Sequence, residues 1–155
     1  MSDLRIAVVL YERMTALDAV GPIEVLRFLP GTRLELVSDA PGPVGTDSEA
    51  LDLVATTAYD DCVEPDVVVV PGGPGTAEAL GGPLIPWLQR VHPTTTWTTS
   101  VCSGSLLLAH AGLLEGAPAR FSHGGALGGY YVYVVHRSVL SADQLRSGLL
   151  FISMC

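Results

Sequence analysis

Two short runs of apolar, mostly β-branched residues constrain the fold of this chain more than any other feature. They are RIAVVLY at residues 5–11 and VVVV at residues 67–70. A strand with one face in water alternates apolar and polar side chains, but these runs do not alternate, which is typical of strands buried on both faces. Strands of this kind belong to parallel sheets that have helices packed on both sides.

The segments around these runs have the spacing and the terminal signals of helices. The first predicted helix has Thr15 as its expected N-cap, an irregular start around Gly21–Pro22 and Pro30 as its stop. The predicted helices lie at 15–30, in pieces within 76–92, and at 103–116, and the other predicted strands lie at 34–39 and 94–101. A short, partly exposed β excursion is expected within 40–59, a β-rich run at 130–135 and a short helix at 141–154. Strands that alternate with helices predict a flavodoxin-like, doubly wound α/β sandwich with a mostly parallel sheet.

The size and charge of the chain limit its organisation and its partners. With 155 residues, 48% of them hydrophobic, residues 1–155 are expected to form a single domain with its own core. The net charge of -8, with only eight Lys and Arg side chains, argues against binding of nucleic acid. The sequence shows neither a basic leader followed by an apolar stretch nor a long apolar run, so we expect a cytoplasmic protein that does not enter the membrane.

Three cysteines, Cys62, Cys102 and Cys155, show no repeated spacing, which favours reduced thiols over a disulfide framework or a zinc site. Cys102 stands between a predicted strand and a predicted helix, in TTSVCSGS, where free N–H groups and the helix dipole favour a thiolate. The small residues that follow it permit a sharp nucleophile elbow. From this stretch alone, a catalytic nucleophile and a buried structural cysteine remain equally plausible. Cys62, which lies beside two aspartates, is expected to be an inert thiol.

The glycine-rich turn PGGPG follows the VVVV run at the carboxyl end of a predicted strand. Gly72 and Gly73 can present N–H groups to a negatively charged intermediate, as an oxyanion hole does, or they can form a plain tight turn. The turn lacks the lysine of a P-loop and the spacing of dinucleotide sites, so phosphate cofactors are disfavoured. We expect neither a cofactor nor a metal ion.

Two acids and one histidine are further candidates. Asp18 is placed to exchange protons with a nearby thiol, but Thr15 to Asp18 also fits a capping box, in which the acid only completes the first helical turn. Glu24 is open to the same two interpretations. His123 is the histidine considered as a base or an orienting group near Cys102, whereas the other three are interpreted as structural or exposed.

Taken together, RIAVVLY, TALDAVGPIEVL, VVVVPGGPG and TSVCSGSLLLAHAGLLEG closely resemble the DJ-1/PfpI superfamily, also called class I glutamine amidotransferase-like, over roughly residues 4–116. Within it, DAVGPIEVL, ATTAY, PGGPG and TSVCSGS most resemble the segments of isonitrile hydratases. The resemblance implies a cysteine-dependent hydration of isonitriles by a homodimer that acts on a small molecule without a cofactor. It also implies that Cys102 is the nucleophile, Asp18 the acid and base, and Gly73 part of the backbone pocket, and that Ser103 supplies a hydroxyl where the family usually has threonine.

The segment after Gly116 departs from the family pattern. It reads APARFSHGGALGGYY, His123 is offset by about one residue from the family histidine, and the later glycine-rich segment of the family does not follow. The C-terminal part is therefore interpreted as divergent, truncated or frame-shifted. Two alternative functions stay open, namely a ligand-sensing or regulatory domain without catalysis, and a related glyoxalase-like or amidase-like activity.

Overall fold

In the computed structural model, the described residues are 3–115 together with the backbone of the strand at 132–136. The strands are β1 Leu4–Val9, β2 Thr32–Ser38, β3 Gly42–Gly45, β4 Asp52–Ala55, β5 Thr57–Ala58, β6 Val67–Val70, β7 Trp97–Val101 and β8 Val132–His136. The helices are α1 Ala16–Leu26, α2 Thr76–Ala79, α3 Leu84–Val91 and α4 Gly104–His110. The helix expected at 141–154 lies outside the described residues.

The main sheet has the strand order β5-β2-β1-β6-β7-β8. Its first five strands are parallel, and β8 pairs antiparallel with β7. After β1 the chain adds β2 on one side of β1, and it later adds β6 on the other side of β1. The strand order therefore reverses between β1 and β6, and in sheets of this type the ligand crevice lies at the carboxyl ends of the strands on either side of that point. The predicted α/β fold with a mostly parallel sheet is confirmed.

The apolar runs that predicted the central strands form the core. Val8, Val9, Val68 and Val70 have no solvent exposure. Burying a side chain of this size stabilises a fold by about 1.5–3 kcal/mol. The predicted β excursion is confirmed as an antiparallel hairpin of β3 and β4, while the two-residue strand β5 joins the edge of the main sheet.

Helix α1 begins after Thr15 as predicted but differs from the prediction in its interior and at its C-terminal end. Gly21 and Pro22 lie inside the helix rather than at an irregular start, and the helix ends at Leu26 rather than at Pro30. After Leu26 the backbone tightens, and the Leu29 N–H donates to the Leu26 carbonyl over 3.0 Å. Pro30 also disfavours helical geometry in the residue before it. The prediction therefore placed the stop too late.

Helix α4 also ends earlier than predicted. It ends at His110, and Ala111 is its C-cap. The next residue, Gly112, has a φ of 75°, the left-handed conformation that commonly follows a C-cap. The glycine that ends the helix is thus Gly112 and not Gly116.

Candidate active site

Three segments that are distant in sequence meet at the carboxyl end of the sheet. Asp18 lies in the first turn of α1 after β1, the Gly72–Gly73 turn follows β6, and Cys102 follows β7. Asp18 is 1% exposed, whereas Cys102 is partly buried. The three segments come together because the carboxyl ends of neighbouring parallel strands share one edge of the sheet, and they lie beside the reversal of strand order.

Cys102 lies on a sharp turn between β7 and α4. Its φ is 52°, in the left-handed region that costs a residue with a Cβ about 1–2 kcal/mol. Such conformations persist only where the surrounding structure fixes them. Gly72 is part of that surrounding structure, since a Cβ added there would lie 2.6 Å from Ser103 N and 3.0 Å from Cys102 Cβ. The glycine turn and the cysteine turn thus pack at a distance that only glycine permits.

The Asp18 carboxyl group is held between these two turns. Its Oδ2 accepts a hydrogen bond from the Gly72 N–H over 3.2 Å. Burial raises the pKa of Asp18, and the charge of Asp47 raises it further, while the Gly72 N–H and a hydrogen bond with the Cys102 thiol oppose the shift. Oδ1 is buried and has no hydrogen-bond partner within the described part of the chain. This carboxyl group therefore holds a proton more readily than an exposed aspartate, at a position in contact with the thiol.

The capping-box interpretation of Asp18 is wrong. In a capping box the N3 carboxylate accepts from the N-cap N–H. Here the Thr15 N–H instead donates to the Gly72 carbonyl over 2.8 Å, and the Thr15 hydroxyl donates to Asp47 Oδ2 over 2.7 Å. Thr15 occupies the N-cap position without a side-chain cap. The Asp18 side chain therefore connects α1 to the glycine turn and does not cap its own helix.

The N–H groups of Gly72 and Gly73 differ from the expected pair of free donors. The Gly72 N–H is bonded to Asp18, and the Gly73 N–H donates to Ser103 Oγ over 3.0 Å. Gly73 adopts a φ of 143°, and a Cβ on it would lie 2.5 Å from Thr15 N. Both glycines are thus required by close packing, and each N–H already has a side-chain acceptor.

Two hydroxyl groups that the sequence did not single out belong to the same cluster. Tyr11 is 7% exposed, and its hydroxyl donates to the Pro71 carbonyl over 2.8 Å and lies 3.2 Å from Thr76 Oγ1. Thr76 Oγ1 in turn lies 3.1 Å from Ser103 Oγ. Burial raises the pKa of Tyr11 to about 12, and the charges of Asp18 and Cys102 add to the shift. The only sequence signal for these two residues was their position, since Tyr11 follows the first strand and Thr76 follows PGGPG.

Three candidates remain, namely Glu24, His123 and Cys62. Glu24 is exposed on α1 and forms an ion pair with Arg27 over 3.0 Å, so it takes the solvated role that the sequence left open. His123 lies outside the described residues. Cys62 is 1% exposed, and burial raises its pKa to about 11, so its thiol keeps its proton near neutral pH. Burial is the largest cause of this rise in the pKa of Cys62. The negative charge that adds to it is that of Glu35 and not that of the adjacent aspartates.

The described residues contain no group of three or more His, Cys, Asp or Glu side chains placed to hold a metal ion. Nor do they include a helix with the length and apolar character needed to cross a membrane.

Comparison with known proteins identifies relatives with the same architecture. The sequence profile described as the DJ-1/PfpI family matches residues 4–120. Isonitrile hydratase from Pseudomonas putida is 38% identical over 122 residues, which are 75% of this chain and 51% of that protein. An HTH-type transcriptional regulator of Mycobacterium tuberculosis is 42% identical over 55 residues, 35% of this chain and 21% of the regulator.

Among solved structures, a THiJ/PfpI family protein from Pseudomonas syringae superposes with a TM-score of 0.70 at 35% identity. The match covers 75% of this chain and 49% of that structure. The chain therefore spans about half the length of the isonitrile hydratase and of this structural relative.

Proposed function

The chain belongs to the DJ-1/PfpI family, and we propose that it hydrates isonitriles to N-substituted formamides with Cys102 as its nucleophile. The observation that carries the proposal is that the buried Asp18 carboxyl group, whose pKa is raised by burial, and Cys102 both pack against Gly72. A carboxyl group that holds its proton beside a sulfur atom is the pair that this reaction needs, because the carbon must receive a sulfur and a proton. The similarity to the isonitrile hydratase supports the choice of substrate class.

In the proposed reaction the Cys102 thiolate attacks the terminal carbon of the isonitrile, and the Asp18 carboxyl group gives its proton to that carbon. A C–S bond forms, and the product is a thioimidate with a C=N bond. Water then adds to the same carbon, and the Asp18 carboxylate moves a proton from the water to the nitrogen. When the C–S bond breaks, the hydroxyl proton passes to Asp18, so that the N-substituted formamide leaves and both groups return to their starting state.

We also propose that residues 1–155 form a single domain that works as a homodimer in the cytoplasm. Apolar side chains exposed on α1 and on the turn after it support a second copy as the partner. These are Leu17, Val25, Phe28 and Leu29, with exposures of 50%, 40%, 73% and 45%. Light scattering coupled to size-exclusion chromatography measures the mass in solution. A monomer at all accessible concentrations would remove the homodimer from the proposal.

A second candidate function is recognition of a small ligand without turnover. The partial similarity to a transcriptional regulator favours it, since 55 residues of this chain are 42% identical to that protein. In this case Cys102 and Asp18 would line a binding pocket, and no product would form.

Formamide formation from cyclohexyl isocyanide, followed by chromatography, separates the two candidates. Under the proposed function the wild-type protein forms the formamide, Cys102→Ala reduces the rate to background, and Asp18→Asn lowers it by about 10²–10⁴-fold. Asparagine preserves the shape of the side chain but has no proton to give. Cys62→Ala is the matched control, because it removes a buried thiol that lies outside the site.

Two results would count against the hydratase. Folded wild-type protein that binds the isonitrile in calorimetry but forms no formamide supports the ligand-binding candidate instead. Equal rates in wild type and Cys102→Ala contradict the assignment of the nucleophile.

A further inference from the structure

The hydroxyl groups of Ser103 and Thr76 form a chain whose proton positions can be counted. Each hydroxyl has one proton. Thr76 Oγ1 lies 2.7 Å from the Gly73 carbonyl oxygen, which can only accept, so the Thr76 proton points to Gly73. In its 3.1 Å contact with Ser103, Thr76 Oγ1 is therefore the acceptor, and Ser103 donates. The Tyr11 hydroxyl points its own proton to the Pro71 carbonyl, so its longer 3.2 Å approach to Thr76 Oγ1 carries no proton.

This count fixes the role of Ser103 as well. Its proton points to Thr76, and its oxygen accepts the Gly73 N–H over 3.0 Å. Both hydrogen bonds of the Ser103 hydroxyl, the one it donates and the one it accepts, therefore join it to the segment after β6. Its proton is used in the bond to Thr76 and is not available to the thiol or to a substrate. A serine hydroxyl rotates more freely than that of threonine, which is stiff at χ1. An external partner must therefore hold the Ser103 hydroxyl in place.

We propose that Thr76 is a positioning residue that holds the Ser103 hydroxyl as the acceptor of the Gly73 N–H, and so fixes the Cys102 turn against the glycine turn. Asp18 is hydrogen-bonded to the same glycine turn through Gly72. Thr76 thereby controls how the acid and the thiol are placed relative to each other. It acts through Ser103, the neighbour of Cys102, and is not itself in contact with the reacting atoms. This inference rests on the proposed function for its effect on turnover, but the hydrogen-bond arrangement itself can be tested without it.

The first test measures amide hydrogen exchange by NMR in the full chain. In Thr76→Val the side chain keeps its shape but loses the hydroxyl, so the Gly73 amide should exchange about threefold to tenfold faster, the range expected of one neutral hydrogen bond. The Gly72 amide is the internal control, because its acceptor is Asp18 and its exchange should not change. Thr76→Ser, which restores the hydroxyl, should return the Gly73 amide to the wild-type rate.

The second test measures turnover of cyclohexyl isocyanide. Thr76→Val should lower kcat by about threefold to tenfold with KM unchanged, and Thr76→Ser should restore kcat. In a double-mutant cycle, adding Thr76→Val to Ser103→Ala should cost less than adding it to the wild type, because the partner is already absent. Thr98→Val is the matched control, since Thr98 is equally buried and bonds to Thr95 and His92.

The two tests separate failure of this inference from failure of the proposed function. If wild-type protein forms no formamide but Gly73 exchange responds as expected, the hydratase proposal fails and the positioning role of Thr76 stands. Equal acceleration of Gly72 and Gly73, no rescue by Thr76→Ser, or full additivity with Ser103→Ala would each overturn the positioning role.

Discussion

The left-handed backbone of Cys102 leads to a stability test that does not depend on activity. We compare Cys102→Gly with Cys102→Ala. Both variants remove the thiol and its contact with Asp18, so that loss cancels in the comparison. What remains is the backbone conformation, because alanine keeps a Cβ at a φ of 52° and glycine does not.

The expected difference follows from two opposing effects. A Cβ in the left-handed region costs about 1–2 kcal/mol. Glycine in a regular element is less favourable than alanine by roughly 0.5–1 kcal/mol, because the unfolded chain gains freedom. The strain is the larger effect, so we expect Cys102→Gly to unfold with a free energy about 0.5–1 kcal/mol higher than that of Cys102→Ala.

Urea denaturation followed by circular dichroism measures both free energies of unfolding. The control is Ala109→Gly, at an exposed position within α4, where the same exchange of alanine for glycine should destabilise the protein by about 0.5–1 kcal/mol. The sign of the effect is therefore expected to invert between positions 102 and 109. If Cys102→Ala is as stable as Cys102→Gly or more stable, the cysteine turn is not strained, and the argument that packing holds the nucleophile in place fails.

Three further predictions concern the groups around this turn. Because the pKa of Asp18 is raised, the folded protein keeps a proton that the unfolded chain releases above about pH 4. Wild-type protein should therefore lose stability relative to Asp18→Asn as the pH rises from that value towards neutrality, and urea denaturation at several pH values should show a difference that depends on pH. Gly72→Ala should lower the free energy of unfolding by about 1–3 kcal/mol, because its Cβ would lie 2.6 Å from Ser103 N; in the same assay a loss below about 0.5 kcal/mol contradicts this packing. Iodoacetamide near pH 8 should modify Cys62 only after unfolding, since burial raises its pKa to about 11, and peptide mass spectrometry that finds it modified in folded protein would refute this.

The sequence predicted the central strands because only one structural environment buries all of their side chains. A run such as Val67–Val70 is apolar on every face, and a parallel sheet covered on both sides is the environment that buries it. Once the strands were known, the convergence of Asp18, Gly72 and Cys102 followed from topology, since the carboxyl ends of parallel strands share one edge.

Helix ends and hydroxyl partners could not be predicted in this way. The end of α1 at Leu26 depends on which carbonyl each N–H meets after the last turn, and several residues before Pro30 were compatible with a helix. Tyr11 and Thr76 were missed because a hydroxyl has no pattern of its own in a sequence. Its role depends on acceptors such as the Pro71 and Gly73 carbonyls, which only the folded backbone brings into reach.

The two acceptors of the glycine N–H groups differ in charge, and this difference bears on how the site would receive charge during the proposed reaction. When Asp18 gives up its proton, its Oδ2 becomes part of a carboxylate, and hydrogen bonds to a charged acceptor are roughly twice as strong as neutral ones. The Gly72 N–H is therefore placed to stabilise the negative charge that develops on the acid. Ser103 remains a neutral hydroxyl, so the hydrogen bond from the Gly73 N–H to it is the weaker of the two and does not change as charge develops on the acid. The expected pair of equivalent donors therefore becomes two donors with separate uses: the Gly72 N–H serves the acid, and the Gly73 N–H holds the turn that carries the nucleophile.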